Sequence, residues 1–216
     1  MGDDRLDRAK ELYERAVFGG ETEALAVAQD ELDAVEAELA LARGRVLHAR
    51  FLADREENPE ELVLFERAAD LYRQRGDARG EAEACFWVGC FHQVVRGDGA
   101  AALPPLERSY ALAQSVDDGL IASYAVRHLG FHAMEQGQLD LARQRFEESL
   151  RLRREAGFRP GIAAALLALA ELSAHAGSPD QARTLLAEAA TEAEESGARG
   201  ILRWIEAARA ELTTVD

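Results

Sequence analysis

The chain has 216 residues, 48% of them hydrophobic, and its 40 acidic and 25 basic residues give a formal net charge of −15. A surface this acidic repels phosphate backbones and anionic lipid headgroups, so the composition predicts no nucleic-acid partner and no membrane partner. No apolar run approaches the ~20 residues that a membrane-spanning helix needs. Alanine and leucine dominate and β-branched residues are few, which favours helix throughout.

The amino-terminal stretch and the two cysteines predict a cytoplasmic protein. The first ten residues, MGDDRLDRAK, lack the basic and apolar pattern of a secretory signal peptide. Cys85 and Cys90 are five residues apart, which is about 140° around a helix, so they do not face each other for a disulfide. Reduced cysteines are typical of the cytosol.

Helical patterns fill the first quarter of the chain. Residues 3–17 form a charged amphipathic helix that a Gly-Gly pair terminates. Residues 21–57 contain no helix breaker except Gly44, so they form either one long helix or two. We expect two, split near 37–40, because a repeat needs a separate first helix to pair with the helix that follows it.

Punctuating residues set the next boundaries. The sequence NPEE at 58–61 is a strong helix start, with a cap, a first-turn proline and Glu61 as a capping-box glutamate. This helix is predicted to end before Gly76, and the next covers about 78–95. The sequence LPP at 103–105 interrupts the following helix, which either begins near its leucine or is kinked there, because proline is tolerated only in the first turn.

The rest of the chain repeats with a period of 40 residues. Two helices joined by a tight turn at 136–138 span 118–157, two more follow at about 160–176 and 179–195, and a last helix covers 199–213. A turn glycine, an alanine and a large apolar residue recur at fixed spacing three times: Gly97, Ala102, Leu106; Gly137, Ala142, Phe146; and Gly177, Ala182, Leu186. Such a period is the signature of stacked helical hairpins.

The second copy contains one extra residue. Gly89 and Gly97 are eight residues apart, whereas the matching pairs in the later copies are seven apart. An extra residue inside a helix forms a π-bulge, which often occurs at functional sites, whereas an extra residue in the turn has no such meaning. Both alternatives stay open from the sequence.

The repeated residues resemble those of the tetratricopeptide repeat family. The positions that match its motif are Leu129, Gly130, Ala133, Gly137, Ala142, Phe146 and Ser149. The longer period is similar to the repeats of bacterial signalling ATPases and transcription activators. The resemblance implies an all-α, right-handed superhelical solenoid of antiparallel helix pairs, with about ten helices. The implied segments are an N-terminal helical segment packing on the solenoid (1–37), four repeats (38–77, 78–117, 118–157 and 158–198) and a C-terminal capping helix (199–216).

In this family the first helix of each pair lines a concave groove, and a helical wheel places aromatic and cationic side chains on that face. The candidate ligand-binding residues are Arg50, Phe86, Trp87, Cys90, Tyr124, Arg127, His128, Phe131, Glu171 and His175. Aromatic rings would hold an apolar group, and arginines would hold a carboxylate. We therefore predict a groove that binds a peptide, a protein segment or a small, partly apolar anion. The alternative is that these rings only close the solenoid core.

Two other functions stay open. A small enzyme, such as a cyclase or an acid–base catalyst, would use His128 and Glu171 in the same groove. A scaffold would use its outer faces instead. No nucleophile elbow, phosphate loop or cofactor fingerprint is present, and His128, His132 and Glu135 lack an HExxH pattern, so we predict no cofactor and no metal. Trp204 on the final helix indicates a surface for a possible homodimer.

Overall fold

The computed structural model describes residues 4–213 and divides into two compact units, the first ending at Pro105 and the second beginning at Leu106. The ten helices of the described range are α1 (Asp4–Gly19), α2 (Ala24–Asp54), α3 (Glu60–Gln74), α4 (Ala78–Cys90), α5 (Gly99–Ser115), α6 (Gly119–Glu135), α7 (Leu139–Glu155), α8 (Arg159–His175), α9 (Pro179–Glu195) and α10 (Arg199–Thr213). A π-helical segment (Phe91–Val95) follows α4 directly. The prediction of an all-α helical repeat is confirmed. Among the described helices, none combines the length with the apolarity that crossing a bilayer requires.

The first unit is built on α2, a single helix of 31 residues. The predicted break near 37–40 is wrong, because no residue there interrupts the backbone hydrogen bonds and even Gly44 is tolerated inside the helix. The amino-terminal part of α2 packs on α1, and its later part packs on α3. The first contact uses Ala9, Leu12, Ala16, Ala24 and Ala28, and the second uses Ala37, Ala40, Leu41, Phe65, Ala68 and Leu71. One helix therefore serves two hairpins.

The start of α3 confirms one part of its predicted motif and contradicts another. Asn58 caps the helix, since its side-chain Oδ1 accepts the backbone N–H of Glu60 at 2.9 Å. The prediction that Glu61 closes a capping box is wrong. The Glu61 side chain is fully buried, and its Oε1 lies 2.8 Å from Nδ1 of His48 on α2. A core partner has therefore replaced the local backbone partner that the motif predicts.

The extra residue of the second copy lies inside a helix. The five residues of the π segment continue α4, and a π-helical turn holds one residue more than an α-helical turn. The next helix, α5, begins at Gly99, where Asp98 Oδ1 accepts the backbone N–H of Ala101 at 2.9 Å. A start near Leu103 is therefore wrong, and the two prolines that follow Leu103 lie inside α5.

The second unit is a stack of hairpins. Helices α6 and α7 form one, α8 and α9 form the next, and α10 packs on α8 and α9. A Cβ atom added to Gly130 on α6 would lie 2.5 Å from Cε1 of Phe146 on α7, so glycine is what lets this ring reach the α6 backbone. The core includes Ala142, Phe146, Leu166, Leu172, Leu186, Ala189 and Ile205. The small residue Gly130 on the first helix and the large Phe146 on the second therefore pack against each other in this hairpin.

Candidate functional site

The predicted site residues belong to both units. Arg50, Phe86, Trp87 and Cys90 lie in the first unit, and Tyr124, Arg127, His128, Phe131, Glu171 and His175 lie in the second. Phe86, Cys90 and His128 are buried, whereas Arg50 and His175 are exposed and the others are partly buried.

Trp87 is the centre of a ring cluster in the first unit. Its ring stacks on Phe65 with centroids 5.5 Å apart and 15° between the planes. The rings of Phe86 and His48 meet it edge-on at 5.1 Å and 5.3 Å. The guanidinium of Arg45 lies 5.7 Å from the Trp87 ring centroid. The predicted aromatic pair is therefore brought together, and its rings pack chiefly on other side chains of this unit.

A buried polar chain that the sequence analysis missed runs through the same unit. Cys90 Sγ lies 3.8 Å from Nε2 of His48, and Nδ1 of His48 faces Glu61. Burial raises the pKa of Glu61, and the hydrogen bond from His48 offsets part of that rise. Glu61 Oε2 has no hydrogen-bond partner among the described residues. Cys90, His48 and Glu61 come from three different helices, so no local sequence spacing connects them. Within residues 4–213, no cluster of side chains is arranged to hold a metal ion.

Arg50 lies apart from the Trp87 cluster. It lines an open cleft of about 250 Å³ at the carboxyl-terminal end of α2. The other lining residues are Leu47, Asp54, Glu56, Glu57, Asn58 and Pro59. Three of these carry carboxylates, so the surroundings of Arg50 are acidic and repel an anionic ligand.

In the second unit, α6 brings Arg127, His128 and Phe131 together. The guanidinium of Arg127 lies 4.6 Å from the Phe131 ring centroid, and its Nε donates to the carbonyl oxygen of Ala164 on α8 at 3.3 Å. The Phe131 ring packs edge-on against Phe146 at 4.9 Å and lies 6.2 Å from the His128 ring. Arg127 is thus held by a ring of its own helix and a carbonyl of the next first helix.

A second guanidinium, which the sequence analysis missed, lies in the same unit. Arg153 on α7 is 1% exposed and donates from Nη1 to the Gly161 carbonyl at 2.8 Å and from Nε to Ser123 Oγ at 3.2 Å. Its guanidinium lies 5.0 Å from the Tyr124 ring centroid. Burial, and then the positive charge of Arg127, lower the pKa of Arg153 to about 9, so it is charged at neutral pH. No described carboxylate forms an ion pair with it.

Glu171 and His175 are one turn apart on α8 and line a cleft of about 350 Å³ with α9 and α10. Most of the other lining residues are apolar: Ala170, Ala174, Gly177, Pro179, Leu186, Ala208 and Leu212, with Glu211 as the exception. Burial raises the pKa of Glu171, the charge of Arg127 lowers it in part, and Glu211 raises it further. Apolar walls with a few polar groups are typical of a binding site.

Comparison with known families supports the repeat architecture. Residues 120–195 match the family model described as tetratricopeptide repeat, and this range covers α6 to α9. No curated protein matches the sequence. The match supports a general role in protein interaction.

Proposed function

From the tetratricopeptide repeats that this chain carries, we infer that it is a protein-interaction module and that its second unit binds a peptide segment containing an acidic residue next to an apolar one. The acidic group would approach Arg127 on α6. The apolar side chain would enter the cleft beside Glu171, between α8 and α10. A small, partly apolar anion offers the same two groups and would use the same contacts.

The observation that carries this proposal is the proximity of two guanidinium groups in a chain of net charge −15. Arg127 Nε and Arg153 Nη1 donate to the carbonyl oxygens of Ala164 and Gly161, which are three residues apart on α8, so the two cations lie near each other and repel. Arg153 is almost fully buried, so it acts through its field, while the partly buried Arg127 can reach a ligand. A carboxylate beside Arg127 would reduce this repulsion, and the low dielectric of a half-buried site strengthens the effect.

The cleft beside Glu171 supports the apolar part of the proposal. Its volume of about 350 Å³ lies at the small end of the ~300–1,000 Å³ range of ligand pockets. Space of this size suits one anchoring side chain or a small molecule. The Glu171 carboxyl lies at this cleft, where burial raises its pKa.

Selection from a random peptide display library tests the proposal, because it assumes no particular partner. We expect selected peptides to be enriched in Asp or Glu beside a large apolar residue. Their affinity for the Arg127→Gln variant should be at least ~10-fold weaker, as for loss of a charged hydrogen-bond donor. The control is Arg151→Gln, which removes the same charge from an exposed position on α7 that pairs with Glu155 at 2.8 Å.

A second variant separates the cleft from the arginine. Ala174→Phe would fill the cleft from α8 and leave Arg127 unchanged. We expect it to weaken the peptides that carry a large apolar residue, while its helical circular dichroism stays that of the wild type. Selected peptides without acidic enrichment, or with equal affinity for wild type and Arg127→Gln, would overturn the proposal.

A further inference from the structure

A row of exposed apolar side chains follows α2. Leu25, Leu32, Leu39 and Val46 are seven residues apart, and they are 49%, 41%, 47% and 54% exposed. Positions seven apart drift by only about 20° around a helix, so the four side chains share one face. At ~1.5 Å per residue, the row is about 32 Å long.

Helix α1 adds exposed apolar side chains beside this row. Leu6, Tyr13 and Val17 share one face of α1 and are 47%, 53% and 53% exposed. On a wheel of about 100° per residue, that face lies about 90° from the buried contact with α2. Arg8 lies on the opposite flank of that contact, where its Nε pairs with Glu31 Oε1 at 3.2 Å. The three side chains therefore lie on the same side of the hairpin as the α2 row.

We call the seven side chains the hairpin patch: Leu6, Tyr13, Val17, Leu25, Leu32, Leu39 and Val46. Scattered single apolar residues are normal on a protein surface, but a contiguous group of this size marks an interaction surface. Neither the proposed peptide site nor its cleft uses any of these residues. The patch thus requires a different occupant.

The charges beside the patch identify that occupant. The residues four positions after each member of the α2 row are Gln29, Glu36, Arg43 and Arg50, so the rim carries one carboxylate in its first half and two guanidinium groups in its second half. The midpoint between Glu36 and Arg43 is also the midpoint between Gln29 and Arg50. A two-fold axis at this point would bring Glu36 of one copy to Arg43 of another and Gln29 to Arg50.

We infer that the hairpin patch pairs two copies of this chain, with their α2 helices antiparallel. In a parallel pair each Arg43 would face another Arg43, which costs energy, whereas the antiparallel pair matches opposite charges. Neither Arg43 nor Arg50 forms an ion pair with any described residue. Glu36 pairs with Arg67 at 2.7 Å on the surface, where a carboxylate can accept from a second arginine. A rim of both signs also disfavours an anionic lipid surface, which selects a basic rim.

Light scattering after size exclusion, with the 216-residue chain at ~1 to ~100 µM, measures this pairing. We expect a mass of about 47 kDa, twice the 23.6 kDa of one chain. The double variant Leu32→Glu with Leu39→Glu should have the mass of one chain. The control Val63→Glu alters an apolar residue that is 62% exposed on α3 and outside the patch, so it should keep the doubled mass.

Charge reversal tests the antiparallel geometry. Glu36→Arg alone and Arg43→Glu alone should each raise the dissociation constant of the dimer at least ~10-fold, because each places like charges together. The combined variant should return it to near the wild-type value. Loss of the Glu36–Arg67 pair within one chain would not be repaired in this way, so rescue distinguishes pairing from folding.

Three results would overturn the inference. The first is a wild-type mass of 23.6 kDa at the highest concentration. The second is a dimer that survives the two leucine substitutions in a protein whose circular dichroism is unchanged. The third is failure of the combined charge reversal to restore pairing, which would exclude the antiparallel arrangement. None of these results bears on peptide binding, which is measured separately in the second unit.

Discussion

Nδ1 of His48 lies 2.8 Å from Oε1 of Glu61, and both side chains are buried between α2 and α3. A carboxylate and an imidazole in a core are stable only as a hydrogen-bonded pair, because each would otherwise lose its contacts with water. The second oxygen, Glu61 Oε2, has no partner among the described residues. Removing the charge of Glu61 while keeping its shape should therefore have a measurable effect that depends on pH.

Burial raises the pKa of Glu61, so the folded protein holds this proton more tightly than the unfolded chain does. This carboxyl contributes its full stabilisation when the pH is below about 4.5, which is its ordinary pKa. The stabilisation is lost as the pH rises through the higher pKa that the carboxyl has in the folded protein. Glu61→Gln stays neutral and should lose no stability over that window. We expect its free energy of unfolding, relative to wild type, to increase with pH by at most ~1.4 kcal/mol per pH unit.

Urea denaturation of wild type and Glu61→Gln at several pH values above 4.5 measures this difference. The control is Glu60→Gln, which removes the preceding, exposed carboxylate from the same turn of α3. A difference between Glu61→Gln and wild type that stays constant across the pH range would contradict the prediction.

The contact of Gly130 with Phe146 predicts a steric effect. A methyl group on Gly130 would overlap the Phe146 ring, and overpacking of this kind costs about 1–3 kcal/mol. Gly130→Ala should therefore lower the free energy of unfolding, although alanine favours helix. At Gly200 on α10 the nearest atom to an added Cβ is a flexible arginine tip 3.9 Å away, so Gly200→Ala should not destabilise. Thermal unfolding compares the two, and equal effects would show that the ring moves aside freely.

The repeat was predictable because the residues that pack against each other recur at fixed, short spacings along the sequence. Gly130 and Phe146 occupy fixed positions relative to their turn, and the next copy has a small residue, Ala170, and a large one, Leu186, at the matching positions. The length of α2 was not predictable in this way. Without a proline or a turn glycine between its two halves, the pattern contains no signal for where a helix ends.

The polar groups of the core were harder to predict than its apolar groups. Glu61 occupies the position of a capping-box residue. Its side chain is instead buried because it forms a hydrogen bond with His48, which lies on another helix. Arg153 lies on α7, the second helix of its hairpin, on the face that packs in the core. A pattern of hydrophobic residues does not predict a buried guanidinium at such a position. Arg127 and Phe131, four residues apart on α6, could be assigned to one face because their spacing is local.

The buried charge of Arg153 predicts unequal effects of two substitutions. Methionine would fill the space of the arginine stem and remove a charge that has no described carboxylate partner, so Arg153→Met should change the free energy of unfolding by less than about 1 kcal/mol. Arg153→Ala would leave a cavity, for which losses of about 2–5 kcal/mol are typical. Urea denaturation at neutral pH measures both. Equal losses would mean that the hydrogen bonds to Gly161 and Ser123, which both variants lack, dominate over packing.

The π segment after α4 predicts that one residue can be removed there. Deleting Gln93 would shorten the interval from Gly89 to Gly97 to the seven residues found in the later copies, and the segment could then continue as an α-helix. The cost should stay below about 1 kcal/mol, because α-helical hydrogen bonds have better geometry than π-helical ones.

Deleting His132 from α6 is the matched control, because α6 has no extra residue and the deletion rotates its remaining positions by about 100°. That rotation moves Ala133 out of the core, so this variant should lose several times more stability. Circular dichroism melting curves of the two deletions give the comparison. If deleting Gln93 destabilises the protein as much as deleting His132, the π segment positions side chains that this unit requires. The most direct candidates are Phe91 and Arg96. Phe91 is fully buried in the π segment, and the guanidinium of Arg96 lies 4.7 Å from its ring centroid.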